Sequence, residues 1–423
     1  MNASSPIPEL LAPVQDWKTL KFVGTIPDSI YFGVNNYNMR KKAHNFRKEE
    51  LSNIVTYCHT RTPPMKAYLC TNILIYNSEL EEIEELFNQA NIADIDGVIV
   101  HDIAAIQLAK RYKLNLHIST QANISNIVSA QFYEQLGAER IILARELSLN
   151  QIKEIKCSLN TTKVECFVHG AMCTSISGRC YFSATIRDSE HYSANRGNCI
   201  QPCRRKWRVI DDQTNEFIYD GQMFLNAKDL CMIEYIPELL EAQIDVFKIE
   251  GRMKDPLYVK TVSSCYKEAI ESYLEGTFTQ EKVTHWLKEL SKVHNRGFHT
   301  GFYFQNPTPE NIELTRRGNI SPYKKQYIGK VLNFHTATKT AEILIEKRDI
   351  EIQDGDEFII ENSNTFIIEK FKNLLFEGNP VNSIKRTNGD PPISLNISLT
   401  SQISLYLDQK IYKIRKSIKS ENL

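Results

Sequence analysis

The sequence predicts an α/β chain: a (β/α)8 barrel of the TIM type with a long cysteine-rich insertion after its seventh strand, then a small C-terminal all-β barrel. Three observations carry this. Short apolar runs alternate with helix-periodic stretches eight times in the first 292 residues. About sixty polar, Cys- and Arg-bearing residues interrupt the alternation between Val168 and Leu230, far beyond a usual connection of a few residues. From residue 323 the texture changes to short strands with turn signals between them.

The strand candidates are 7–12, 29–34, 66–71, 96–100, 115–119, 140–144, 164–168 and 245–249. Each is an apolar run bounded by polar residues, the pattern of a strand buried on both faces. Residues 79–90 between them place apolar side chains at i, i+3, i+4 and i+7, a helical face. An open doubly wound sheet is the alternative, but it rarely needs eight units in strict alternation. A helix at about 257–275 closes the barrel, with a helical extension through 292. Further strands are expected at 327–334, 340–345, 356–360, 364–368 and 403–407, separated by Gln353-Asp-Gly-Asp and Asn388-Gly-Asp-Pro-Pro. The domains are therefore 1–292, carrying the insertion 169–230, a connector 293–322, and a β-barrel 323–423. The last is similar in strand order to barrels appended to translation factors, so RNA contact and a purely stabilising role both fit it.

Hydrophobic residues make up 42% and charged residues 24%, values of a folded domain with a large core. Lys+Arg and Asp+Glu both number 51, which excludes a polyanion-coating protein and leaves room only for local basic patches. No run approaches the ~18 apolar residues of a membrane span. The start, Met-Asn-Ala-Ser-Ser-Pro, lacks a secretory pattern, so a cytoplasmic location is expected. Phosphate-cradling glycine motifs, a His-Glu-x-x-His helix and a Gly-x-Ser-x-Gly elbow are all missing from the sequence, which weakens hydrolytic readings.

In such a barrel the residues following each strand meet at one mouth. Here they are Asn72 and Asn77, His101-Asp102, Ser119 to Asn123, Arg145-Glu146, His169-Gly170 and Glu250-Gly251-Arg252. Together they describe a polar pocket for an anionic small molecule. Arg145 and Arg252 are the better carboxylate binders, because a guanidinium offers a planar two-donor fork. His169 and Glu250 complete the catalytic candidates.

Five of the ten cysteines, Cys173, Cys180, Cys199, Cys203 and Cys231, fall in the polar insertion. Cys70, Cys166 and Cys265 lie in apolar patterns and read as small core residues. A reducing compartment disfavours disulfides. Gly170, Gly178 and Gly197 flank the cluster and permit tight turns. Zinc and an iron–sulfur cluster are both open to such thiolates. Paired Cys-x2-Cys knuckles are missing, which favours iron–sulfur, while a reactive thiol and a structural role stay open.

The stretches His169-Gly-Ala-Met-Cys173, Ser177-Gly-Arg-Cys180-Tyr-Phe-Ser and Asn195-Arg-Gly-Asn-Cys199-Ile-Gln-Pro-Cys203-Arg-Arg-Lys-Trp resemble the signature of the collagenase-like peptidase family U32. So do Pro8-Glu-Leu-Leu-Ala-Pro, Ile118-Ser-Thr-Gln-Ala-Asn123, Asn226-Ala-Lys-Asp-Leu-Cys231 and Phe247-Lys-Ile-Glu-Gly-Arg-Met-Lys254. The resemblance implies oxygen-independent hydroxylation, which bacterial members carry out on tRNA wobble uridine, on a 23S rRNA cytidine, or on ubiquinone precursors. It also implies a [4Fe-4S] cluster on four cysteines and, in tRNA members, prephenate as hydroxyl donor. By position the implied ligands are Cys173, Cys180, Cys199 and Cys231, with Cys203 the alternative fourth. The long C-terminal β-domain and the chain length favour tRNA, giving 5-hydroxyuridine at the wobble position. Expected partners are tRNA and an anionic co-substrate, with no membrane. Arg204, Arg205, Lys206, Trp207 and Arg208 would supply cations and a stacking platform for RNA. A peptidase and a non-catalytic RNA-binding protein with a structural cluster are the rival readings.

Overall fold

The computed structural model describes residues 7–176, 179–187, 189–207, 209–210, 216–217, 223–399 and 404–416. Eight apolar runs form parallel strands: β1 (Glu9–Pro13), β2 (Ser29–Phe32), β3 (Lys66–Thr71), β4 (Gly97–Val100), β5 (Leu116–Ile118), β6 (Arg140–Ile142), β7 (Lys163–Ala171) and β8 (Val246–Ile249). Each pairs with the next. Val246 of β8 lies opposite both Glu9 of β1 and Glu165 of β7, so the sheet closes on itself. The helices cover it with their apolar faces. Leu51, Ile54, Val55 and Cys58 are the buried stripe of the helix Leu51–His59, and Asp102 caps Ile103–Arg111 by accepting from the Ala104 amide at 2.9 Å. No helix among the described residues is long and apolar enough to cross a membrane.

The barrel interior is ionic. Arg140, fully buried, donates to Glu165 at 3.1 Å, to Glu9 at 2.8 Å and to the Tyr68 hydroxyl at 3.1 Å; Lys248 reaches the other Glu165 oxygen at 2.6 Å. Residues of β1, β3, β6, β7 and β8 are thereby tied across the axis. Two carboxylates facing two cations satisfy the rule that buried charge must be paired.

Two sequence expectations are corrected here. The seventh strand runs beyond Val168 to Ala171. The helix expected near Leu230 is instead a strand, Asp229–Cys231, lying antiparallel to the extension with Cys231 opposite His169. An extended strand leaves backbone donors and acceptors that need partners, and this returning segment supplies them. The helix starts only at Ile236, running to Glu241.

The chain divides into two compact units, one holding the N-terminal residues through Asp16 with Val23–Ile320, the other Trp17–Phe22 with Ser321 onward. Residues 293–320 thus group with the barrel, where Tyr303 donates to the Phe167 carbonyl at 2.7 Å and Arg296 pairs with Asp229 at 2.8 Å. The second unit is a closed antiparallel barrel of six strands: β9 (Tyr323–His335), β10 (Thr340–Ile345), β11 (Glu357–Glu361), β12 (Phe366–Phe376), β13 (Ile393–Leu399) and β14 (Lys410–Lys416). Ile328, Val331, Ile343, Phe358, Phe371 and Leu395 belong to its core. The strand expected at 403–407 is not formed by residues 404–407, and Ile403 lies outside the described residues. The strands β13 and β14 were not foreseen. The Pro391-Pro392 pair hid the alternation Ile393, Leu395, Ile397, Leu399, and β14 is so rich in lysine that it reads as solvated loop.

Candidate functional site

The C-terminal ends of the strands enclose a small cleft of about 40 Å³ lined by Tyr31, Met39, Arg40, Cys70, Asn72, Ser119, Gln121, Arg145, Phe167, Lys248, Glu250 and Arg252, among others. Lys248 forms part of its floor, its ammonium 4.3 Å from the Tyr31 ring centroid while paired below to Glu165. Glu250 is gripped by Arg40, whose Nε and Nη2 donate to one carboxylate oxygen at 3.1 and 2.9 Å. Burial pushes the Glu250 carboxyl up, but Arg40, then Arg145 and Arg252, hold it below the usual carboxylate value. It is ionised at neutral pH. Asn72 donates to Ser119 at 3.1 Å and to Gln121 at 3.0 Å, fixing the opposite wall.

Arg252 is 2% exposed and donates to the Asn45 side chain. Gly33 makes room for it: a Cβ there would stand 2.5 Å from its Nη2. Arg145 lies with its guanidinium carbon 4.7 Å from the Phe167 ring centroid. The Nε atoms of both arginines are buried without a hydrogen-bond partner, and among the described residues neither forms a salt bridge with a carboxylate. The cleft therefore carries two guanidiniums that share the single Glu250 carboxylate with Arg40, an excess of positive charge that suits a carboxylate-bearing ligand.

Three of the four catalytic candidates, Arg145, Glu250 and Arg252, meet at this mouth. His169 does not line it. It is 2% exposed on the extension of β7, with its ring packed against Tyr258, Tyr266 and Phe298. Burial holds its imidazole down at about 4, so it is neutral at physiological pH and has no charge with which to hold an anion. Its neighbour Gly170 has φ +109°, and a Cβ there would fall 2.3 Å from the Glu250 carbonyl, so only glycine lets the two strand ends close. Asn77 and Glu146 are exposed, and Asp102 serves as a helix cap. Arg40 and Lys248 escaped the sequence reading. Lys248 had a signal, a lone cation inside an apolar strand; Arg40 had only its place in a basic loop, Arg40-Lys41-Lys42, beyond β2.

Four thiols of the insertion, Cys173, Cys180, Cys199 and Cys203, lie near enough for their charges to act on one another. Burial pushes the Cys199 and Cys203 thiols up, and in both cases the neighbouring Cys173 and Cys180 add to the rise. Arg40 stands close enough to Cys173 and Cys199 to act on the other side of the balance. The Gln201 amide donates to the Cys199 sulfur at 3.3 Å, and the Cys180 amide donates to Asn195 at 3.0 Å. Cys231 is elsewhere. It is buried in the strand beside β7, among Ile233, Tyr266, Glu234 and Asp229, with its thiol pushed up to about 12. Cys203 is within electrostatic reach of Cys173, Cys180 and Cys199, whereas Cys231 lies on the strand Asp229–Cys231. Soft sulfur donors on separate loop segments fit an iron–sulfur cluster in kind and number. Among the described residues no three His, Cys, Asp or Glu side chains stand as a closed ion-binding set; the thiols are neighbours that have yet to converge.

The basic run divides. Arg204 is 7% exposed and donates to Asn226 at 3.1 Å and to the Ala227 and Met172 carbonyls at 2.5 Å, so it pins the insertion and does not face solvent. The Trp207 indole donates to the Pro202 carbonyl at 2.8 Å and packs on Phe182. Arg205 is half-buried, Lys206 is exposed, and Arg208 lies outside the described residues. Of the described members of the run, Arg204 is thus committed to internal contacts, and Lys206 is exposed.

The sequence profile of peptidase family U32 matches residues 16–313. The chain belongs to this family. Among U32 relatives, an uncharacterized protease of Methanocaldococcus jannaschii is 43% identical over 86% of the chain and 88% of its own length. A protein named collagenase from Porphyromonas gingivalis is 35% identical over 96% and 98%. The tRNA hydroxylation protein P1 of Bacillus subtilis is 34% identical over 83% and 82%. The U32 profile takes in the cleft, the insertion and its thiols, and stops short of the six-stranded barrel.

Proposed function

We propose that this U32 protein is an oxygen-independent RNA hydroxylase that forms 5-hydroxyuridine at the wobble position of tRNA. In this reading Cys173, Cys180, Cys199 and Cys203 hold a [4Fe-4S] cluster, and the cleft takes an anionic co-substrate, prephenate, as hydroxyl source. One observation carries it: Arg40 grips Glu250 in the cleft while its charge also reaches Cys173 and Cys199 of the insertion. The relative named for tRNA hydroxylation supports the choice of reaction. A tRNA substrate would place the protein in the cytoplasm.

When bound, an iron–sulfur cluster supplies electron transfer or Lewis acidity at an exposed iron. The chain's own residues do the rest. Arg145 and Arg252 bind carboxylate groups of the co-substrate, Lys248 adds positive potential from the floor, and Phe167 excludes water beneath Arg145. Glu250, ionised and held by Arg40, can accept a proton at the carboxylate oxygen that Arg40 leaves free. The collagenase-named relative raises a peptidase reading. The lining of the cleft holds no histidine to activate Ser119, Thr120 or Cys70, and burial pushes the Cys70 thiol up, away from the nucleophilic thiolate.

The test is deletion of the gene from its host, grown without oxygen so that no oxygen-dependent enzyme can substitute, followed by mass spectrometry of tRNA nucleosides. Loss of 5-hydroxyuridine and its derivatives, restored by the intact gene, is expected. Unchanged nucleosides would end the proposal.

A further inference from the structure

With Arg204 and Trp207 committed to internal contacts, the basic run has few groups left for a polyanion. The C-terminal unit offers a better set. Strands β9 and β14 pair antiparallel with Tyr323 opposite Lys416, Lys325 opposite Ile414, Tyr327 opposite Tyr412, and Lys330 opposite Lys410. Residues directly opposite on paired strands project from the same face. That face carries three tyrosines and four lysines, and neither strand contains an acidic residue. The rings of Tyr327 and Tyr412 lie edge to face with centroids 5.6 Å apart, and the Lys325 ammonium is 4.0 Å from the Tyr412 centroid. Lys325 pairs with Glu361 and Lys330 with Asp408, and the Tyr327 hydroxyl donates to Glu346; Lys410, directly opposite Glu361 on β11, and Lys416 are exposed and form no salt bridge among the described residues. The lysines at 330 and 410 are not protecting a free sheet edge, since β9 also pairs with β10 and β14 also pairs with β11 at these positions.

We infer that the β9–β14 face is a binding surface for an unpaired stretch of RNA, with Lys410 and Lys416 on phosphates and Tyr327 and Tyr412 against bases. Aromatic rings flanked by lysines on a β-barrel match the two things a single strand offers, a backbone charge and an exposed π-face. The inference rests on the reading that the substrate is RNA.

The experiment measures binding of an unmodified tRNA transcript to the full-length protein over a range of salt. The double variant Lys410→Glu/Lys416→Glu should bind about tenfold more weakly, with a salt slope shallower by about 1.4. The variant Tyr327→Leu/Tyr412→Leu should lose about tenfold with the slope unchanged, because stacking releases no counterions. Lys372→Glu/Lys385→Glu, an equal charge change at two exposed positions off this face, serves as the control and should bind normally. Folding of every variant is verified by its melting transition. Affinities equal to the unaltered protein in both double variants would overturn the inference. So would equal binding of poly-aspartate lost through the same lysines, which would make the partner an acidic polypeptide. Binding needs neither cluster nor turnover. A protein that binds RNA here but leaves it unhydroxylated defeats only the proposed reaction; one that hydroxylates RNA with this face neutralised and its affinity intact defeats only this surface.

Discussion

Arg145 and Arg252 are the side chains on which ligand charge is read. Each has a buried Nε without a partner, so a carboxylate entering the cleft meets donors that already lack one. A hydrogen bond to a charged group contributes about 1.5–3 kcal/mol. Arg145→Ala or Arg252→Ala should therefore weaken binding of a dicarboxylate such as prephenate by about 10- to 100-fold in calorimetry; unaltered affinity would place the ligand elsewhere. The thiols make a second residue-level prediction. Cys203→Ser, like the same change at Cys173, Cys180 or Cys199, should leave anaerobically purified protein without iron and without brown absorbance. Cys231→Ser should retain both, since that sulfur sits among Tyr266 and Asp229, away from the other four.

At the scale of an element, the longest described element between Met172 and Trp207 is the six-residue helix Phe182–Arg187, so single buried contacts matter. Arg204 replaces missing backbone ladders by donating to two carbonyls and an amide oxygen. Arg204→Ala would leave those acceptors buried and unpaired, at roughly 1–3 kcal/mol for each group left unsatisfied. Limited proteolysis should then cut within 173–207 well before the barrel, while Lys206→Ala, at an exposed position, should resist cleavage as the unaltered protein does. The insertion was legible as an interruption because its composition breaks the strand–helix rhythm. Its internal assignments were not: nothing in the run Arg204 to Trp207 distinguishes a guanidinium facing solvent from one satisfying carbonyls contributed by residues 172 and 227. The return of Asp229–Cys231 as a strand was equally hidden, because a three-residue segment is too short to show a period that separates helix from strand.

Over the whole molecule, stability is tied to the charges inside the barrel. Burial would raise the Glu9 carboxyl, but Arg140 and hydrogen bonds from Ser29, Arg140 and Tyr68 bring it below its ordinary 4.5. A carboxyl depressed in the folded state binds fewer protons there than when unfolded, so its contribution is complete above about pH 4.5 and fades as the pH falls through the folded value. Denaturant midpoints should accordingly drop in mild acid, and Glu9→Gln should flatten that part of the curve while lowering stability at pH 7. Arg140→Met leaves Glu9 without a cation and Glu165 with Lys248 alone, and should cost about 3–5 kcal/mol. A variant as stable as the parent would mean that the network contributes nothing net.

The sequence by itself determined the eight-unit barrel, the interruption after the seventh strand, the β-rich C-terminal unit and the U32 motifs, because apolar periodicity and local spacing are properties of neighbouring residues. Arg145, Glu250 and Arg252 were also within its reach, since a barrel sends every strand end to one mouth. The tertiary structure was needed to show that His169 is a buried neutral ring, that Cys231 lies in a strand beside β7, and that Arg40 grips Glu250. Those facts depend on which distant segments fill the same space. Packing and backbone hydrogen bonding settle that across separations of up to two hundred residues, where a linear pattern leaves no trace.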